Sequence, residues 1–147
     1  MAAGLSLPAG LVEEFRRRFY EVAARRLSPE DLVGTMRIDA EISGGEINEA
    51  LILELEQFAP FGPENPRPQF ALRNAVVAGA RAIGDGAHLK LRVKCAERFY
   101  DALWWRHGDR LDDVREAGRA DLCVIPEFNE FNGFKTIQFV VRDLQVR

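Results

Sequence analysis

The sequence predicts an α+β protein in which helices and short strands precede a β-barrel. Three observations predict this class: apolar residues at helical spacing before residue 60, four prolines within 60–68, and alternation typical of strands after residue 69. The prolines are incompatible with a helix or a central strand. We therefore place a linker at 60–68, between an N-terminal segment at 1–59 and a barrel domain at 69–147.

The pattern of apolar residues in the N-terminal segment predicts two helices and two short strands. Residues 2–7 indicate a loop that runs into a short strand, and Pro8 begins a helix of about 16 residues with an apolar stripe. Residues 35–42 alternate as in a strand. Ser43 and Glu46 have the spacing of a capping box, which predicts a second helix over 46–58.

The barrel domain predicts a long strand bent at Gly79, two further strands, a short helix over 109–116 that ends at Gly118, and a final hairpin turning at Asn132-Gly133. The predicted strands lie at 70–84, 88–95, 98–106, 120–128 and 134–146. Three strands, a helix and two strands is the order of the five-stranded OB-fold barrel. Such barrels bind single-stranded nucleic acid on the face of strands two and three.

The hairpin over 88–106 carries the candidate binding face. In 88–95 apolar and basic residues alternate strictly, which predicts an apolar inner face and a basic outer face. In the next strand Trp104 and Trp105 are adjacent, so one indole must lie on each side. We place Trp104 outside, with Phe99, Leu103 and Trp105 inside, a register that turns Asp101 inward.

Cations interleaved with aromatic rings suit single-stranded nucleic acid, because cations meet phosphates and rings stack on bases. A solvated basic sheet face fits the pattern equally well. The candidate nucleic-acid-binding residues of the hairpin are His88, Lys90, Arg92, Lys94, Arg98, Tyr100, Trp104 and Arg106.

Three phenylalanines surround the Asn132-Gly133 turn and either form a stacking tip or close the end of the barrel. We expect one of Phe128, Phe131 and Phe134 to be exposed and two to be buried, because three exposed rings would form a large apolar patch. Phe131 joins the candidate nucleic-acid-binding residues.

Composition and charge exclude some classes of function. The net charge is −3, with −5 in residues 1–67 and +2 in residues 68–147, so the second half is the better candidate to meet a polyanion. Two cysteines are too few for a disulfide framework and predict buried, reduced thiols in a cytoplasmic protein. No segment has the length or the flanks of a membrane span or a signal peptide.

Catalytic motifs are absent from the sequence. His88 and His107 do not lie in a ligand-spaced cluster, and Asp112-Asp113 falls on a predicted helix, where neighbouring side chains diverge. We therefore expect a chain with no catalytic residues, no metal site and no cofactor.

Five segments, taken in order, resemble the C-terminal part of the RecJ single-stranded-DNA-specific exonucleases. The most specific are Pro60-Phe61-Gly62 with Asn65-Pro66, and the stretch 129–133. The segments are AAGLSL, IDAEI, LEQFAPFGPENPRPQF, HLKLRV and FNEFNGFKTIQFVVRDLQV.

The resemblance implies a fragment: the end of the second core domain, a connector and the OB domain. It also implies that a catalytic core elsewhere binds manganese or magnesium and cuts DNA from the 5′ end, while the OB domain holds the single strand and guides it there. By strand position, Lys135 joins Lys90, Arg92 and Trp104 in that role.

A second hypothesis is a protein-interaction module of a DNA repair or recombination complex. OB barrels also dock proteins, and the acidic first half offers a docking surface for the catalytic core or for other repair proteins. We expect single-stranded DNA as the main partner and no membrane.

Overall fold

The structure is a computed structural model that describes residues 4–147. The chain forms two compact units, Met1–Met36 and Arg37–Arg147.

The first unit contains the predicted long helix, α1 (Val12–Arg26), which follows a 3₁₀ turn at Ala9–Leu11. Its polar face carries ion pairs one turn apart, such as Arg17 with Glu21, and none of its residues is buried. A second 3₁₀ turn, Pro29–Leu32, is capped by Ser28. The short strand predicted within 2–7 is wrong for residues 4–7, which form no strand. Residues 2 and 3 of that prediction lie outside the described residues.

The second unit is a closed five-stranded barrel with one extra strand, which confirms the predicted OB architecture. Strands β2, β3 and β4 form an antiparallel meander, β4 pairs in parallel with β6, and β5 pairs with both β6 and β2 to close the barrel. The strands are β1 (Ala40–Glu41), β2 (Phe70–Ile83), β3 (His88–Cys95), β4 (Arg98–Trp104), β5 (Arg119–Phe131) and β6 (Phe134–Val146).

Two irregularities in β2 allow one strand to serve two neighbours. The register shifts between Leu72 and Ala75 against β5, and between Val77 and Gly79 against β3. The bend predicted at Gly79 is thus confirmed as a bulge. The predicted short helix is α3 (Leu111–Ala117), and Gly118 ends it in the left-handed region at φ 67°.

Residues 37–59 pack with the barrel, although the sequence suggested a boundary after residue 59. Ile47 is fully buried in the barrel core, and Tyr100 Oη donates to the carbonyls of Gly44 at 3.2 Å and Ile47 at 3.3 Å. The strand predicted over 35–42 is only the two-residue β1, parallel to the start of β2. Contacts distant in sequence, not the prolines, set the limit of this unit.

The second helix begins later than predicted. Helix α2 (Glu49–Glu56) is capped by Asn48, whose Oδ1 accepts from Leu51 N at 2.9 Å. The Ser43–Glu46 pair instead closes a separate turn, in which Glu46 Oε2 accepts from Ser43 N at 2.7 Å. Capping-box spacing thus occurs here without a helix.

The proline-rich stretch is an ordered turn. Asn65 Nδ2 donates to Phe58 O at 2.8 Å and to Pro60 O at 3.0 Å, and Arg67 lies 5.0 Å from the ring centroid of Phe61. Side-chain hydrogen bonds to the backbone carbonyls replace the bonds that proline nitrogens cannot make.

Both cysteines are free and buried, as expected, and burial raises the pKa of Cys95 to about 11. No helix within residues 4–147 combines the length and apolarity needed to cross a membrane.

Asp121, on β5, links two residues of β2 to the residue that follows β6. Its carboxylate accepts from Arg147 Nε at 2.9 Å, from Asn74 N at 2.8 Å and from Arg73 at 3.0 Å. Burial raises the pKa of Asp121, but its hydrogen bonds hold that pKa well below its usual range. The bond from Arg147 has the largest effect, followed by those from Asn74 and Arg73.

We expect Asp121→Asn to lower the free energy of unfolding at pH 7 by about 2 kcal/mol, because charge-assisted hydrogen bonds are lost. A carboxyl with a depressed folded pKa stabilises above its unfolded pKa of about 4 and loses that contribution as the pH falls. As the pH is lowered from 5, the free energy of unfolding measured with urea should therefore fall less for the variant than for the parent chain.

Asp85→Asn, in an exposed turn, is the matched control for Asp121→Asn and should lower the free energy of unfolding at pH 7 by less than about 0.5 kcal/mol, the usual limit for surface substitutions. Parallel pH profiles for the parent chain and Asp121→Asn would contradict this account.

Candidate nucleic-acid interface

Strand β3 has the predicted orientation. Leu89, Leu91, Val93 and Cys95 are buried in the barrel, so the alternation places the basic residues on the outer face. Those outer residues are His88, Lys90, Arg92 and Lys94.

Strand β4 faces the opposite way from the prediction, which is therefore wrong for Tyr100 and Trp104. Tyr100 is 5% exposed and Trp104 is 2% exposed, whereas Phe99 is 50% and Trp105 is 47% exposed. Leu103 also lies on the outer side of the strand, and the inner positions are filled by Tyr100, Ala102 and Trp104.

Specific contacts hold this register. The Tyr100 ring packs on Phe139 with centroids 4.7 Å apart, and the Trp104 indole stacks on His107 at 4.1 Å and 9°. Because both rings are buried, neither Tyr100 nor Trp104 is available to stack on a base.

Asp101 points outward, not inward as predicted. Its Oδ2 lies 2.8 Å from Lys90 Nζ, and its Oδ1 lies 2.8 Å from a terminal nitrogen of Arg92. Partial burial would raise the pKa of Asp101, but the hydrogen bonds from Lys90 and Arg92 outweigh it and lower that pKa. The carboxylate is thus ionised and partly neutralises the basic face.

The other predicted cations occupy different surroundings. Lys94 pairs with Glu97 at 3.2 Å. Arg98 has the same inward direction as Tyr100 but lies at the start of β4, where it remains exposed and lies 3.4 Å from Ile47 O.

Arg106 lies beyond the end of β4, in a turn that His88 holds. The Arg106 backbone N donates to His88 Nδ1 at 2.9 Å, and the His88 ring meets Trp105 edge-on at 4.9 Å. His88 therefore positions the Trp105 indole, and the Arg106 side chain is exposed.

The tip of the β5–β6 hairpin is more apolar than predicted. Phe131 is 70% and Phe134 is 76% exposed, whereas Phe128 is half-buried under Lys135, whose Nζ lies 3.6 Å from the ring centroid. The expectation of one exposed ring is wrong, because the hairpin extends past the barrel and leaves the two rings nearest the turn without a surface to cover.

Two grooves lie beside the outward residues of β3 and β4. The larger, of about 530 Å³, separates the start of β4 from β6 and is lined by Arg92, Arg98, Phe99, Asp101, Thr136 and Ile137. The smaller, of about 300 Å³, lies over Gly79 on the outer face of β2, β3 and β4 and includes Arg81.

Comparison with known proteins supports the fold assignment. A family model described as the RecJ OB domain matches residues 38–143. This chain belongs to the RecJ OB domain family.

Full-length relatives extend far beyond the matched region. The single-stranded-DNA-specific exonuclease RecJ of Bacillus subtilis is 29% identical over 99% of this chain, and that of Haemophilus influenzae is 30% identical over 96%. The chain spans only 19% and 25% of the lengths of these two proteins.

A solved structure shows the same fold. RecJ from Thermus thermophilus, in a complex with Mn²⁺, superposes with a TM-score of 0.75 at 24% identity, over 98% of this chain and 20% of that one. Within residues 4–147 no three His, Cys, Asp or Glu side chains come together as a metal site.

Sequence reasoning missed four residues of this RecJ OB surface: Arg81, Phe99, Trp105 and Phe134. A charged residue on a barrel strand favours the solvent side, so Asp101 was the signal that could have set the β4 register and exposed Phe99 and Trp105. Arg81 lies on the outer face because it pairs with Lys90 across β2 and β3. The bulge next to Gly79 sets that pairing, and the sequence does not show where the register shifts.

The β4 register makes opposite predictions for the adjacent tryptophans. We expect Trp104→Ala to lower the free energy of unfolding by about 3–5 kcal/mol, the range for large buried aromatic residues, and Trp105→Ala to lower it by less than about 1 kcal/mol. Urea denaturation followed by circular dichroism measures both. A larger loss for Trp105→Ala would contradict the register.

Proposed function

We propose that this chain binds single-stranded DNA as the OB domain of a RecJ exonuclease and presents the strand to a catalytic core outside the chain. The observation that carries the proposal is the exposed rings of Phe99, Phe131 and Phe134, which occur with Arg92 and Lys135 on the β3–β4 face and the β5–β6 hairpin.

The chemistry is charge combined with stacking. Arg92 lies 5.6 Å from the Phe99 ring centroid, and Lys135 covers Phe128, so cations and flat rings alternate over the surface. Cations bind phosphates, and rings accept bases of any sequence because every base has a π face. In a duplex the bases are already stacked and paired, so the rings favour the single strand.

The family names of the relatives describe exonucleases, and this chain spans a small part of each. We propose that the chain does not cut DNA by itself and that the manganese or magnesium ions act in the catalytic core. A labelled oligonucleotide incubated with the purified chain and Mn²⁺ should remain intact. Shortening of the strand that a chelator stops would contradict this part of the proposal.

Fluorescence anisotropy of a labelled oligothymidine tests binding directly. We expect a dissociation constant of about 10⁻⁴ to 10⁻⁶ M at physiological salt, the range of non-specific binding, and a steep loss of affinity as salt increases. A duplex of equal length should bind more weakly. Absence of binding even at low salt would contradict the proposal.

Removal of the hairpin rings separates stacking from charge. We expect Phe131→Ala with Phe134→Ala to weaken oligothymidine binding by about 30-fold or more, since each of the two base–ring stacks contributes at least about 1 kcal/mol, with little change in the salt dependence. Phe58→Ala is the matched control, because Phe58 is similarly exposed but follows α2 and lies on neither the hairpin tip nor the β3–β4 face. Equal affinity of the parent chain and the double variant would exclude stacking at the tip.

The same exposed rings favour a second candidate, a protein-interaction module of a repair complex. Phe131 and Phe134 would then insert into an apolar site on a partner. Under this alternative the double variant keeps its affinity for DNA but loses its protein partner, so the two functions separate in a single preparation.

A further inference from the structure

The smaller groove, over Gly79, is a cross-strand arrangement of outer-face residues on β2, β3 and β4. Gly79 pairs with Arg92, which pairs in turn with Asp101, and Arg81 pairs with Lys90. Because alternate residues of paired strands face the same side, the three cations surround one position on the sheet.

The groove holds more positive than negative charge. Asp101 is the one carboxylate among its lining residues, and it serves both Lys90 and Arg92 at 2.8 Å. Arg81 is exposed and has no ion pair within the described part of the chain. Like charges directly opposite each other on a sheet are destabilising; Asp101 offsets the Arg81–Lys90 repulsion through Lys90, and an anion beside Arg81 would offset it further.

The groove also has space for that anion. Gly79 carries no side chain, and a Cβ built there would come no closer to other heavy atoms than 4.0 Å, from Arg92 Cβ. The open volume is about 300 Å³. The Asp101 carboxylate offers two anionic oxygens to Lys90 and Arg92, the same bridging arrangement that the two free oxygens of a phosphodiester can make.

We propose that this groove binds a phosphodiester of the DNA strand and that Asp101 occupies the place of that phosphate until the strand arrives. The proposal rests on the proposed function, single-stranded DNA binding. Each phosphate that enters must separate Asp101 from Lys90 and Arg92, and Asp101 re-forms both ion pairs when the phosphate leaves. Asp101 thus limits affinity and lets a strand pass over the face without being retained.

The test is Asp101→Asn in the anisotropy titration with oligothymidine. We expect the variant to bind about 3- to 10-fold more tightly at low salt, because the competing carboxylate is removed from two ion pairs. Its salt dependence should also steepen by about 0.7 per additional phosphate neutralised. Equal or weaker binding than the parent chain would overturn the proposal.

Asp113→Asn is the matched control, because it removes the same charge from a surface ion pair, with Arg110 at 2.8 Å, on α3. At the same salt concentration as the Asp101→Asn titration it should change affinity by less than about 2-fold, because Asp113 lies on α3 and does not line the groove. An equal gain for Asp113→Asn and Asp101→Asn would reduce the effect to net charge and overturn the proposal.

Arg81→Gln tests the site without removing its ion pairs. It should weaken oligothymidine binding about 3- to 10-fold, whereas Arg142→Gln, an exposed arginine on β6 that does not line the groove, should not. If neither variant loses affinity, the groove is not a phosphate site.

Calorimetry with inorganic tripolyphosphate separates this inference from the proposed function. If the parent chain fails to bind DNA, the proposed function fails, yet tighter tripolyphosphate binding by Asp101→Asn than by the parent would still support an anion site governed by Asp101. If the parent binds DNA and neither ligand distinguishes Asp101→Asn from it, only the further inference fails.

Discussion

The outer surface of the barrel depends on the register of one strand, β4. The Tyr100 hydroxyl donates to two carbonyls in the segment before α2, and the Trp104 indole fills the core against His107. Because side chains alternate along a strand, these buried rings require Phe99 and Asp101 to face solvent. A slip of one residue would bury a carboxylate and remove two of the largest core side chains. That energetic difference fixes which groups the barrel presents on its outer face.

Much of the fold follows from local sequence signals. Strict alternation in β3, the Asn132-Gly133 turn and the αL glycine after α3 each specify a structure over a few residues, so they are predictable. The adjacent tryptophans leave the β4 register open, and the preference of Asp101 for the solvent side is the one local signal for it. Among the interactions that hold the register, some join residues more than fifty positions apart, such as Tyr100 and Gly44. The same holds for the unit boundary, since long-range contacts include residues 37–59 in the barrel unit.

The cations of the candidate site are partly neutralised by neighbouring carboxylates. Asp101 ties up Lys90 and Arg92, and Glu97 pairs with Lys94, so the β3–β4 face carries less free charge than the sequence suggests. Under the proposed function, such a surface would suit a DNA strand that moves, because salt-screened contacts and base stacking are each weak and exchange rapidly. The exposed hairpin rings would then bind bases without dependence on sequence.

We propose that single-stranded DNA lies on the outer face of β3 and β4 and on the tip of the β5–β6 hairpin. Amide chemical-shift mapping by NMR, with an oligothymidine titrated into the labelled chain, is the decisive measurement. We expect the largest shifts at Arg92, Phe99, Asp101 and the 131–135 turn, with smaller shifts in α1 and α2. Shifts confined to the helices, with the strands and the hairpin tip unchanged, would contradict it.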